Sequence, residues 1–312
     1  MNARSLTAAL ALLLVVFVAS GEARRQEPRA FATPEEAARA LQSAARQGFD
    51  ALSAIFGAAA RELVDTSDPA RAQRNRETFV VAFAEEWRLQ DLGAGRKELV
   101  IGHESWPFPV PLVKTARGWV FDVAAGKEEV LNRRIGRNEL TTIETCLAIV
   151  KAQRAYAAAG HDGKPAGIYA QRFSSDPGSQ NGLYWPSERG APRSPLGDLV
   201  AQAARDGQPR ESPQAGPTPF HGYHFRILDG QGLAATGGAR SYVVNGQMTG
   251  GFALVAWPAQ YDATGIMTFI VNQDGVVHEK DLGSDTATKA AAIARYDPDA
   301  TWARVDRSAP SR

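Results

Sequence analysis

His221 and His224, three residues apart, are the first pair in this sequence that could share a metal or pass a proton. Imidazole binds transition metals and exchanges protons near neutral pH, so the pair could serve either chemistry. The spacing works against it. On a strand, residues three apart project from opposite faces, and the two rings diverge. Asp281, Asp285, Asp297 and Asp299 gather near the C-terminus, but without the alternating spacing and glycine of a calcium loop, which leaves them to turns and caps. The strings G-x-S-x-G, H-E-x-x-H and G-x-x-x-x-G-K do not occur, so no nucleophile elbow, zinc helix or phosphate loop is written into the chain. The paired glycines Gly237-Gly238 and Gly250-Gly251 read as turns and bulges beside strands.

Aromatic side chains offer more. Tyr184-Trp185-Pro186, preceded by Asn181-Gly182, stands in a long polar stretch. The pair either pins that stretch to a core or presents a stacking face to a sugar or peptide. Trp106-Pro107-Phe108-Pro109 poses the same choice. Trp106, Tyr184, Trp185 and His221 are therefore the expected binding residues. No catalytic residue, metal site or cofactor is expected.

The elements that must position them form an α+β pattern. Thr33 as N-cap, Pro34 at the first helical position and Glu36 at the third predict a helix ended by Gly48. A second helix follows over 50–56, and a third opens at Asp68-Pro69 with the stripe Phe79, Val80, Phe83 and Trp87. Strands are expected at 99–101, 110–114 and 119–123, with Pro107, Pro109 and Pro111 confining the middle one to an edge or an extended loop. This N-terminal α+β domain spans 31–126, and a charged hinge with Arg133, Arg134 and Arg137 spans 127–138. A guanidinium at a junction favours planar partners, so at least one of the three should make a bidentate pair with a carboxylate, the alternative being a solvated basic linker. The second domain, 139–306, begins with a long helix to about Ala159 whose Ile143, Cys146, Leu147 and Val150 share a face. Residues 160–220 are rich in Gly, Pro and Ser and read as a long loop. Five strands follow at 223–228, 241–244, 252–257, 265–271 and 276–280, the last two joined by an Asp274-Gly275 hairpin, and Ser284 is expected to cap a closing helix. The helix should lie across the antiparallel sheet. Strand 252–257 is apolar on both faces, so its second face should be covered by the loop or by the first domain.

Composition narrows the class. The chain has 312 residues, 44% of them hydrophobic, with 35 Lys and Arg against 34 Asp and Glu. That balance shows no basic excess of the kind a nucleic-acid partner requires. Residues 1–23 read as a secretory signal peptide, with Arg4, an uncharged run over 6–18 and small residues from Ala19 to Ala23. No later segment approaches the length of an apolar membrane span, so no stable span is expected once that segment is cleaved. Cys146 is the single cysteine, which excludes an internal disulfide and suits a small core residue.

Several long strings carry a resemblance. Trp106-Pro107-Phe108-Pro109-Val110-Pro111, Arg133-Arg134-Ile135-Gly136-Arg137-Asn138-Glu139-Leu140, Gly182-Leu183-Tyr184-Trp185-Pro186 and Asp274-Gly275-Val276-Val277-His278-Glu279-Lys280 are among them. They resemble the exported bacterial proteins grouped as the domain of unknown function numbered twenty-nine fifty, from about Phe31 to Val305. That resemblance implies export but no catalytic residue. Asn138-Glu139 with the helix ending Gln153-Arg154-Ala155-Tyr156, and the later strands, are also similar to the heads of type IV pilins and pseudopilins, which set an antiparallel sheet on one long helix. A pilin leader and a continuous apolar helix are missing here.

Two functions follow as expectations. The first is an exported periplasmic or extracellular envelope protein with a structural or binding role, its partners being envelope proteins or glycans. The alternative is an envelope-polymer hydrolase with a site between the two domains, in which His221 or His278 meets a carboxylate or hydroxyl.

Overall fold

A computed structural model describes residues 27–63, 69–186, 193–205 and 219–306, so the signal-like segment lies outside the described residues. The chain divides into two compact units, Met1–Lys127 and Glu128–Arg312. Helices and antiparallel sheets make it an α+β protein.

In the first unit, helix α1 (Pro34–Gln47) starts where its capping residues place it. Thr33 Oγ1 accepts from the Glu36 N–H at 3.1 Å, and Glu36 Oε2 accepts from the Ala32 N–H at 3.1 Å. Gly48, at φ +115°, ends α1 and leads into α2 (Phe49–Phe56). One 3-10 turn (Gly57–Ala59) then precedes α3 (Ala60–Leu63) and α4 (Pro69–Glu85). The stripe through Trp87 does not continue as helix: α4 stops at Glu85, and Trp87 opens strand β1 (Trp87–Gly93). The indole still serves the same core, stacked on Phe83 at 5.2 Å, which is why helical spacing alone misassigns it. Most of β1 is exposed, so it carries little apolar pattern to announce it.

Strands β2 (Arg96–Ile101), β3 (Trp106–Pro107), β4 (Leu112–Thr115) and β5 (Gly118–Phe121) complete an antiparallel sheet in the order β1-β2-β4-β5, with β3 beside β2. The prolines fall where an edge or an extended loop was expected: Pro107 in β3, which pairs with β2 alone, and Pro109 and Pro111 in the irregular stretch before β4. Pairing begins only at Leu112, opposite Lys97 and Phe121, so the prolines at 107–111 remove no donor from the β4 ladder.

Helix α5 (Val123–Ala159) includes residues 127–138, so the expected hinge is helical. Within it Arg133 Nε donates to Glu129 Oε1 at 2.7 Å, so one of the three arginines does meet a carboxylate, one turn back on the same helix. Gly160 ends α5 at φ +68°, and a Cβ there would lie 2.7 Å from the Lys164 carbonyl oxygen. Only glycine fits. The expected loop 160–220 is irregular over most of its described length but contains α6 (Gly197–Arg205).

The main sheet of the second unit is antiparallel, in the order β14-β13-β12-β11-β6. Its strands are β6 (Tyr223–Leu228), β11 (Ala253–Pro258), β12 (Met267–Asn272), β13 (His278–Asp281) and β14 (Ala303–Arg304), while β7 (Gly230–Gln231) pairs with β8 (Arg240–Ser241) and β9 (Val243–Val244) with β10 (Gln247–Met248). The Asp274-Gly275 hairpin joins β12 to β13 as expected. The Gly275 N–H donates to the Asn272 carbonyl at 3.0 Å, with Gly275 at φ +79°.

Cross-strand partners share a face. Tyr223, Leu254, Ala256, Phe269 and Glu279 fall on one side, where Cys146, Ile149 and Val150 of α5 join the same core. Arg226, Val255, Ile270 and His278 fall on the other. Ala253, Leu254, Val255 and Ala256 are all fully buried, so both faces are covered. That second face carries an element the sequence reading did not assign to it. Helix α7 (Thr286–Ala292) lies against β11, and Arg226 Nη2 donates to the carbonyls of Ala290 at 2.9 Å and Ile293 at 2.7 Å. The N-cap of α7 falls to Asp285 rather than Ser284, and Thr286 Oγ1 donates to the Gly283 carbonyl at 2.6 Å.

Candidate functional site at the end of the long helix

The last turns of α5 present one polar side chain per turn toward the irregular segment that follows. Gln153 is fully buried. Its Nε2 donates to the Ala170 carbonyl at 2.8 Å, and its Oε1 accepts from the Ala170 N–H at 2.9 Å. Tyr156, one turn later, donates its hydroxyl to the Gln180 carbonyl at 2.8 Å. These bonds hold two stretches of loop, around 170 and 180, against the helix end. Between them opens a cleft of about 180 Å³, with Tyr156, His161, Lys164, Tyr169 and Arg172 in its walls and Pro165, Ile168 and Ala170 supplying apolar surface.

His161 sits on Tyr156, with ring centroids 4.1 Å apart and planes 25° apart, and lies 5.3 Å from the Trp185 ring. Its Nδ1 is 3.1 Å from Gln180 Oε1, while its Nε2 is buried without a hydrogen-bond partner. Burial raises the Tyr156 phenol above its ordinary value, and the Asp162 charge adds to that. The Asp162 carboxyl is held below its usual range by the Ser179 hydroxyl at 2.6 Å and then by the Gln180 N–H at 2.9 Å.

Serine, histidine and aspartate thus meet beside the cleft, but not in the order nucleophilic catalysis needs. The serine hydroxyl donates straight to the carboxylate, and the imidazole faces an amide. A carboxylate with a lowered pKa is a poor acceptor for the serine proton, so Ser179 is pinned rather than activated. His278 does meet a hydroxyl, its Nδ1 lying 3.2 Å from Tyr296 Oη. Burial, and then Tyr242 and Asp274, push that phenol up to about 12. Burial also lowers the His278 pKa. A phenol of that pKa stays protonated at neutral pH and is no nucleophile there.

Of the four expected binding residues, Trp106 belongs to the first unit and Tyr184, Trp185 and His221 to the second. Trp106 is in the first unit, exposed, opposite Ile101 and edge-on to Phe108 at 6.2 Å. Trp185 is buried in the core of the second unit, with Tyr184 half-buried against it, so this pair anchors the loop. His221 precedes β6 at φ +47°, its ring 4.6 Å from that of Phe220. His224 lies 5.5 Å from Trp257, and burial lowers its pKa. Among the described residues no group of three His, Cys, Asp or Glu side chains could hold a metal. Trp185 touches a wall residue of the cleft, His161. His161 and Lys164 were not singled out from sequence. Their one signal is position, in the Gly160-His161-Asp162-Gly163-Lys164 turn that ends α5.

Among the described residues no helix is long and apolar enough to cross a membrane. Neither the curated proteins nor the solved structures contain a match to the chain, so the similarity to pilin heads finds no support there. A family model described as "Protein of unknown function (DUF2950)" matches residues 28–305. With nearly all of the chain after the signal-like segment covered, this protein belongs to the DUF2950 family.

Proposed function

We propose that this chain is an exported envelope protein that binds rather than cleaves, and that it receives part of an envelope glycan in the cleft at the end of α5. The make-up of the cleft carries this reading. Two cations, two phenols, an imidazole and two side-chain amides line it with no carboxylate among them, beside a serine whose proton has no base to take it. Such a wall can hold polar groups, but it offers no acid–base pair for hydrolysis. Export is supported by the Arg4, apolar and small-residue pattern over 1–23.

The test is to recover the protein from its own cells, sequence its N-terminus and measure co-sedimentation with insoluble envelope polysaccharide. The expected result is a chain beginning between residues 20 and 24 that sediments with the polymer, and a Gln171→Trp variant that does not. Release of soluble sugar fragments would favour the hydrolase instead. An intact Met1 in the cytosol would end the export reading.

A further inference from the structure

Resting on that binding reading, we propose that the cleft is specific for a sugar acid, one pyranose ring whose carboxylate is taken by Lys164. Charge is the first reason. The lining holds Lys164 and Arg172, and no acidic side chain. Arg172 Nη1 is already paired with Asp176 at 2.6 Å, whereas Lys164 makes no ion pair with a described carboxylate. Asp162, two residues before Lys164, lies outside the lining and accepts from Ser179 and Gln180. The Lys164 charge helps to lower the Asp162 carboxyl but makes no ion pair with it, so its ammonium is the cation placed to meet an anion in the cleft.

Hydrogen-bonding capacity is the second reason. Tyr169 lines the cleft, and its hydroxyl bonds to no described residue. His161 Nε2 is buried at the wall without a partner. A buried polar atom left unbonded is costly, and a small turn of the His161 ring toward the cleft would let a ligand hydroxyl satisfy it.

Size and backbone decide between ligand classes. At about 180 Å³ the cleft is well below the roughly 300 Å³ at which drug-sized ligands begin, which suits a single ring. A peptide would seek an unpaired strand edge. Here three backbone groups are already committed: the N–H groups of Gly167, Tyr169 and Ala170 donate to Ala157 O, Met248 O and Gln153 Oε1. The cleft thus offers side chains and the apolar surfaces of Pro165 and Ile168, which suit the C–H face of a sugar.

The test titrates the full chain with glucuronate, glucose and N-acetyl-alanine, reading amide chemical shifts and calorimetric affinity. Glucuronate should shift amides between 161 and 181. Its affinity should fall about tenfold or more in Lys164→Gln and weaken with added salt, the loss expected for one charge-assisted contact. Glucose should bind weaker by a similar factor and be indifferent to the substitution. Lys164 is exposed, so unchanged shifts elsewhere will show that the variant keeps its fold. Equal binding of glucose and glucuronate, both unaffected by Lys164→Gln, would overturn the sugar-acid specificity while leaving the glycan reading intact. Preference for N-acetyl-alanine would make the ligand a peptide carboxylate and overturn it too. If no probe shifts a cleft amide, the specificity falls together with the reading beneath it.

Discussion

Gln153 and Ala170 hold each other through both ends of one amide. The side chain donates to the Ala170 carbonyl at 2.8 Å and accepts from its N–H at 2.9 Å, as a neighbouring strand would. A buried glutamine on α5 therefore stands in for a strand partner and fixes Ala170, which lines the cleft. Gln153→Leu preserves bulk but orphans both backbone groups. It should lower stability by about 2–6 kcal/mol, from the usual penalty of roughly 1–3 kcal/mol for each of the two buried unsatisfied groups. The check is the urea midpoint at unchanged slope. A loss below about 0.5 kcal/mol would mean that water replaces the amide.

Glu139 on α5 accepts the N–H groups of Ile266 at 2.8 Å and Met267 at 2.9 Å, tying the helix to the start of β12. Burial raises the nearby Glu279 carboxyl above its ordinary value, and the charge of Glu139 adds to that. The folded chain thus holds the Glu279 proton more tightly than the unfolded chain does. The stability this confers is complete below the unfolded value of about 4.3 and is lost as pH rises through the folded value. Glu279→Gln should be more stable than the parent at pH 8 relative to pH 4. Glu139→Gln should bring the Glu279 titration back toward ordinary, as read by carboxyl carbon shifts.

On the histidines the sign is opposite. Burial lowers both His224 and His278, so the unfolded chain takes protons that the folded chain refuses. Stability should fall as pH drops below about 6.5. Thermal melts from pH 7.5 to 5.0 should show this fall, and His224→Gln with His278→Gln should flatten it. An unchanged slope in the double variant would place the acid sensitivity elsewhere.

Trp185 is 7% exposed and Trp106 is 45% exposed, so the two tryptophans should respond differently to truncation. Trp185→Ala should cost about 3–5 kcal/mol through the cavity it leaves. Trp106→Ala should change stability by about 0.5 kcal/mol or less, as exposed sites do. Chemical denaturation of both variants checks this. Equal losses would show that Trp106 is an anchor as well.

The α+β class, the capped start of α1, the end of α5 at Gly160, strand β6 and the Asp274-Gly275 hairpin were legible in the sequence. Each rests on local rules acting within a few residues: a cap, a positive φ, a two-residue period. What failed was whatever depended on a distant partner. Trp87 shares the helical spacing of Phe79 and Phe83 yet is drawn into β1 by its pairing with Ile101. The second face of the main sheet was closed by α7, through two backbone carbonyls that Arg226 reaches. The cleft was equally hidden, because His161 and Lys164 carry no motif. They acquire a common surface only when Gln153 and Tyr156 clamp residues 170 and 180 to one helix end. Local chemistry determined the elements, and long-range hydrogen bonds and burial decided which side chains share a site.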